Sequence, residues 1–158
     1  MCVLAVAGGC GDDGNSASSS GGGCADERRE ALDPASSVHV LSGPEPQYTS
    51  DPPTSGPHEP APILSGVRDE PLARPNQVGH LEAGGVLLQY GPADLDAEQV
   101  AELDGLAGDG VVVVPNEDLP DPVVATAWLV KQSCDTVDTA ALERFVESHL
   151  GGGPGSDG

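Results

Sequence analysis

The stretch GGVLLQYGPADLDAEQVAELDGLAGDGVVVV, residues 84–114, decides the fold. Val86, Leu87, Leu88, Gln89 and Tyr90 form a compact apolar run between Gly84-Gly85 and Gly91-Pro92, the pattern of a buried strand. Asp96 follows as a fitting N-cap, with Gln99 three residues on as its capping-box partner and Leu95 and Val100 at the two ends of a hydrophobic staple. Val100, Leu103 and Leu106 or Ala107 then make one apolar stripe, which Gly108 ends. Val111 to Val114 is β-branched throughout, as a strand prefers.

Downstream, Val123 to Val130 is a second β-branched run, and the turn rich in Asn, Asp and Pro before it predicts that the two runs are adjacent strands. A last helix starts at Asp138, with Val137 and Leu142 able to staple it and Leu142, Phe145, Val146 and Leu150 as its stripe. Upstream, Val38 to Leu41 reads as a short strand closed by Ser42-Gly43-Pro44. Between Pro44 and Pro75 seven further prolines remove backbone donors and turn their predecessors away from helix, so this segment is expected to be extended and irregular. The order predicts one α+β domain over residues 36–150, a small sheet of about four strands with two helices on one face. Trp128 is the one large ring expected in that sheet, and Trp128→Ala is expected to cost about 3 to 5 kcal/mol.

Charge narrows the function. The chain has 158 residues, 26 acidic against 6 basic side chains, and a formal charge of −20. Phosphate neutralisation needs Lys or Arg, so nucleic acid is excluded as a partner. No apolar run approaches the roughly 18 to 20 residues of a membrane-spanning helix. The acidity also opposes docking flat on an anionic bilayer.

A membrane connection enters at the amino terminus. Val3 to Ala7 form a short apolar stretch that runs through Gly8-Gly9 into Cys10, the shape of a bacterial lipobox. Residues 1–10 are therefore expected to be a signal segment, with Cys10 lipidated and the protein exported and held to the membrane by its lipid. The apolar stretch is short and no Lys or Arg precedes it, as a start placed too far downstream would explain. Residues 11–35, almost wholly Gly, Ser, Asp and Asn up to Gly23 and then charged, are expected to be a linker, and 151–158 a flexible tail. Cys24 and Cys134 remain after processing. An even pair in an oxidising compartment suggests a disulfide, and two separately used thiols are the alternative. The cysteines show no CxxC spacing, which excludes a zinc ribbon.

Several fragments together resemble a known family. Tyr48 to His58 (YTSDPPTSGPH), Gly66 to Pro71 (GVRDEP), Leu81 to Val86 (LEAGGV) and Leu119 to Trp128 (LPDPVVATAW) look like family 3105 of the domains of unknown function, over roughly residues 38 to 150. The resemblance implies a bacterial, exported or membrane-anchored protein and a fold unit more than a reaction. It also implies a set of histidines: one before a Val, one ending a Ser-Gly-x-His loop, and two in a His-x-Leu-Glu-His-Gly motif. His39, His58 and Glu82 match; the motif's two histidines fall on Gly79 and Ala83, with His80 one position from the first.

His39, His58, His80 and Glu82 would give a nitrogen and oxygen donor set suited to Zn or Cu. The structural reading of the same residues, which we prefer from sequence, packs His39 against its strand neighbours, lets His58 cap a turn and leaves His80 solvated. Thr54 and Ser55 are expected to bond local backbone, with Gly56 in a conformation other residues avoid. Ser55 lies outside any G-x-S-x-G elbow, and no i, i+4 histidine pair marks a metalloprotease helix. The sequence therefore favours an envelope binding or interaction module, then an extracytoplasmic Cu or Zn protein, with a hydrolase third and no catalytic residue to name. Mass spectrometry of the membrane fraction should find a diacylglyceryl group on Cys10; an intact unmodified amino terminus would refute the anchor.

Overall fold

The structure, a computed structural model, describes residues 23–156. The expected signal segment 1–10 with Cys10, residues 11–22 of the linker and the last two residues of the tail lie outside the described residues. The elements run β1 (Arg28–Arg29), β2 (Gly66–Val67), α1 (Arg74–Glu82), β3 (Val86–Tyr90), α2 (Ala97–Asp104), β4 (Val111–Pro115), β5 (Val123–Ala127), β6 (Val130–Cys134) and α3 (Thr139–His149). The fold is α+β, with a mixed six-stranded sheet ordered β1-β6-β5-β3-β4-β2 and three helices, against the expected four strands and two helices.

Residues 84–114 build the centre. β3 and β4 pair in parallel, Val86 opposite Val111 through Tyr90 opposite Pro115, and α2 makes the crossover that a parallel pair requires. Asp96 caps α2 by accepting from the Glu98 and Gln99 amides, and Gln99 returns the bond to the Asp96 amide. The helix closes at Gly105, earlier than the expected Gly108. Alternation along the strands then sorts side chains to two faces. Val86, Leu88, Val111, Val113, Val123, Ala125 and Ala127 pack with Leu103 of α2 and with Leu142 and Phe145 of α3. Leu87, Val112 and Val114 pack on the other face with Leu81 of α1. Helices therefore cover both faces, not one, and a strand buried on both faces reads as an unbroken apolar run for that reason.

Several expectations need correction. Val123 to Val130 is not one strand: the chain turns at Trp128-Leu129, with Leu129 at φ 60°, and β5 and β6 form an antiparallel hairpin. β5 is not beside β4, because β3 lies between them and pairs with both. Trp128 is therefore in a turn, partly buried against the smaller cluster, and the fully buried ring is Phe145. Val38 to Leu41 makes only a bridge, His39 to His58. Helix α1 carries no clear sequence signal, since Pro75 opens it and Gly79 interrupts it. Gly79 has a purpose: a Cβ there would strike the Glu59 carbonyl.

Residues 24–35 are no free linker. Cys24 is joined to Cys134 by a disulfide spanning 110 residues, which constrains the unfolded chain by at most about 4 to 5 kcal/mol. β1 then pairs with the β6 edge, Arg28 opposite Lys131, so two exposed arginines end the sheet on this side and discourage further pairing. The tail folds back as well, its Gly151 and Gly155 amides donating to the Gly84 and Glu82 carbonyls. Phe145→Ala should lower the unfolding free energy by about 3 to 5 kcal/mol and Trp128→Ala by less, read from urea titrations of each. A larger loss for Trp128→Ala would reverse this assignment.

Candidate functional site

The proline-rich segment expected to be irregular is irregular, yet residues 52–58 are all buried. A buried loop must find partners for its backbone and hydroxyl groups within the protein. Thr54 and Ser55 find them far along the chain, not locally as expected. The Thr54 hydroxyl donates to Glu30 Oε2 (2.9 Å), and Ser55 Oγ accepts from the Asp33 amide (2.9 Å). Gly56 sits at φ 132°, where a Cβ would also meet the Tyr48 ring at 2.8 Å, so only glycine fits this corner.

That corner orients His58. Its Nδ1–H donates to the Gly56 carbonyl at 3.0 Å, which fixes the tautomer and leaves the lone pair of a neutral ring on Nε2. Nε2 is 2.7 Å from Glu82 Oε2, and the His58 side chain is fully buried while that of Glu82 is about one-third exposed. The contact is close without the alignment of an imidazole hydrogen bond, so Nε2 is a buried polar atom with no hydrogen-bond partner among the described residues. His39, exposed, is carried alongside by the bridge to His58, with Val40 N–H donating to the His58 carbonyl and His58 N–H to the Val38 carbonyl. The two rings meet edge to face with centroids 5.0 Å apart. One donor atom each from His39, His58 and Glu82 lies within 4.8 Å of the others. Donors on a tetrahedral zinc, each about 2.0 to 2.1 Å from the ion, are about 3.3 Å apart, a spacing between the 2.7 Å of the His58–Glu82 contact and the 4.8 Å span of the set.

His80 does not join them. It is fully buried on α1, Nδ1 accepting from the Leu64 amide at 3.0 Å and Nε2 facing the Val86 carbonyl at 3.2 Å. Both ring nitrogens are engaged, so its task is to tie the loop before β2 to the start of β3. The expectation of a solvated or ligating His80 is thereby corrected. On a helix, residues two apart differ by about 200° in direction, which is why His80 and Glu82 serve different sides of α1.

Sequence reasoning missed the groups that hold the site. Lys131, 3% exposed, reaches Glu30 Oε1 at 3.2 Å and the Asp51 carbonyl at 3.2 Å. Burial pushes the Glu30 carboxyl up, but hydrogen bonds from Ser50 and Thr54 and the Lys131 charge outweigh it and hold it below its ordinary value. Burial lowers the Lys131 pKa against the opposing pull of Glu30. No local signal in the sequence joins Glu30 to Thr54 or Lys131, because each contact spans more than twenty residues.

The fold and site thus define a small α+β domain with an imidazole and carboxylate cluster beneath a buried loop. The chain belongs to the family described as "Protein of unknown function (DUF3105)", which matches residues 39–157. No curated protein and no solved structure matches the chain.

Burial lowers the His80 pKa below 6.5, opposed by its bond to Val86. The unfolded chain therefore takes up a proton near pH 6.5 that the folded ring resists, and stability must fall as pH drops through that value until the folded ring titrates. Ring NMR should show His80 titrating below 6.5, and urea unfolding should show a loss between about pH 7 and about pH 5 that is smaller in His80→Asn. A His80 ring that titrates at or above 6.5 would contradict this.

Proposed function

We propose that this chain is an exported, lipid-anchored envelope protein that binds a transition metal, Zn or Cu, through His39, His58 and Glu82. The observation that carries the reading is the convergence of His39, His58 and Glu82, one donor atom of each lying within 4.8 Å of the others. Within the set, His58 Nε2 lies 2.7 Å from Glu82 Oε2 without an aligned hydrogen bond, so both groups are free to turn toward a shared cation. The bond from Nδ1–H to the Gly56 carbonyl is the outer contact that metal-bound histidines use to hold their tautomer and ring direction.

Two nitrogens and one oxygen suit Zn or Cu better than Ca or Mg, which take oxygen donors. Three protein donors leave a position for water or a further ligand. The Cys24–Cys134 bond accords with an oxidising compartment, and Cys10 with an anchor that keeps the domain at the membrane although its charge opposes contact with anionic lipid. Calorimetric titration of the purified oxidised protein with Zn²⁺ and with Cu²⁺ should find one ion per chain. His58→Ala should abolish that binding, and His39→Ala and Glu82→Gln should each weaken it by more than about tenfold. A wild-type protein that takes up neither ion stoichiometrically would end the metal reading.

A further inference from the structure

The segment from Cys24 to His39 begins at a covalent bond to the sheet and ends on a residue of the metal cluster. Between these points it grips the loop that carries His58. Cys24 is fixed to Cys134 of β6, and the next residue is doubly held, the Ala25 amide donating to the Ser133 carbonyl and its carbonyl accepting from Gln132. Glu27 meets His149 of α3 at 2.8 Å. Glu30 accepts from the Thr54 hydroxyl, and Asp33 donates its amide to Ser55. Thr54 and Ser55 immediately precede Gly56, whose carbonyl orients the His58 ring.

A second contact closes the same link. Leu129 stands in the left-handed region at φ 60°, a conformation that costs a non-glycine residue about 1 to 2 kcal/mol. There its amide donates to the Thr54 carbonyl (3.2 Å) and its carbonyl accepts from the Glu30 amide (2.9 Å). The turn between β5 and β6 thus clasps the segment and the loop together, and β6 is the strand that carries Cys134. Beside the direct bonds from the Leu129 amide and Lys131 to the loop, the segment adds the Glu30–Thr54 and Asp33–Ser55 contacts, which it makes only while it lies along β6.

We propose that residues 24–39 form a redox-latched strap that sets the metal affinity of the site, with Glu30 and Thr54 as positioning residues. The proposal rests on the metal reading above and adds its regulation. With the disulfide formed, the strap delivers His39 and holds the loop in the shape that aims His58 Nε2 at Glu82. A dithiol reductant opens the latch: it passes two electrons and two protons to the bond, leaving Cys24 and Cys134 as thiols, and itself becomes a disulfide. The strap is then held to the sheet by the two-residue β1 and by noncovalent contacts alone, chief among them Glu30–Lys131 and Asp33–Ser55, and the site loosens.

The test compares Zn²⁺ affinity of the wild-type oxidised chain, a Cys24→Ser/Cys134→Ser variant and Thr54→Val, by calorimetry with far-UV circular dichroism to confirm folding. The double serine variant excludes ligation by free thiols. Expected are a loss of about tenfold or more in both variants, the range seen when an outer contact to a metal ligand is removed. Adding Thr54→Val to the double serine chain should then cost little further, because the link it breaks has already been released. Equal affinity in the wild type and the double serine variant overturns the strap while leaving the metal site standing, and so does a Thr54→Val loss that is the same with and without the disulfide. If the double serine chain does not fold, Thr54→Val alone decides, and unchanged affinity in it overturns the proposal. Absence of Zn²⁺ binding to the wild type is a different result, which removes the metal reading and the strap with it.

Discussion

Val86 and Leu88 of β3 enter one apolar cluster and Leu87 enters the other, and Val111 to Val114 of β4 divide in the same way. A parallel pair covered on both faces demands apolar partners above and below, and the remaining architecture meets that demand. Helices α2 and α3 supply one cover with Leu103, Leu142 and Phe145. The other cover is α1, whose Leu81 is fully buried against Leu87, Val112 and Val114. Because Leu81 is fixed there, Glu82, the last residue of the helix, is delivered to the edge of that layer, where the buried loop passes. The place of Glu82 in the His39–His58–Glu82 cluster thus follows from sheet packing.

On the histidine side the governing problem is polar, not apolar. Loops lie on surfaces because water serves their backbone groups, and residues 52–58 have given up that solvent. Several groups that lost water are matched from the strap and the Trp128-Leu129 turn: the Thr54 hydroxyl with Glu30, Ser55 Oγ with the Asp33 amide and the Thr54 carbonyl with the Leu129 amide. His58 Nε2 departs from this pattern, being buried without an aligned partner. A buried ring nitrogen without an aligned hydrogen bond is costly, and on the proposed reading a bound cation would offset that cost.

What was legible in the sequence follows the range of the interaction. The Asp96–Gln99 capping box is encoded within four residues and is seen in the structure as written. The apolar runs 86–90 and 111–114 reveal strands for the same reason. Pairing order is not local: nothing in Val111 to Ala127 says that β3 inserts between β4 and β5. Helix α1 escaped because Gly79, which fits under the Glu59 carbonyl, argues against a helix in isolation, and Pro75, which suits a first helical turn, closes a run of prolines that reads as irregular. Two residues of the cluster, His39 and His58, were identifiable by type and by family pattern, as was Glu82. Their separation from His80 needed helix geometry, and the Glu30–Thr54 and Asp33–Ser55 contacts needed the fold itself.

The net charge of −20 bears on metal binding in a way separable from the site. An anionic surface raises the local concentration of any divalent cation and speeds its encounter, but it does so without preference among metals. Carboxylates spread over a surface hold such ions loosely, and salt screens them within about 8 to 10 Å. Glu82 differs from Glu27, which also meets a histidine, in converging with two of them, His39 and the buried His58, and nitrogen donors are what distinguish Zn or Cu from Ca and Mg. On the proposed reading, surface charge governs how fast an ion arrives, and the buried imidazole governs which ion stays. Ionic strength should act on the first of these and hardly on the second, since the His58 ring is out of reach of solvent.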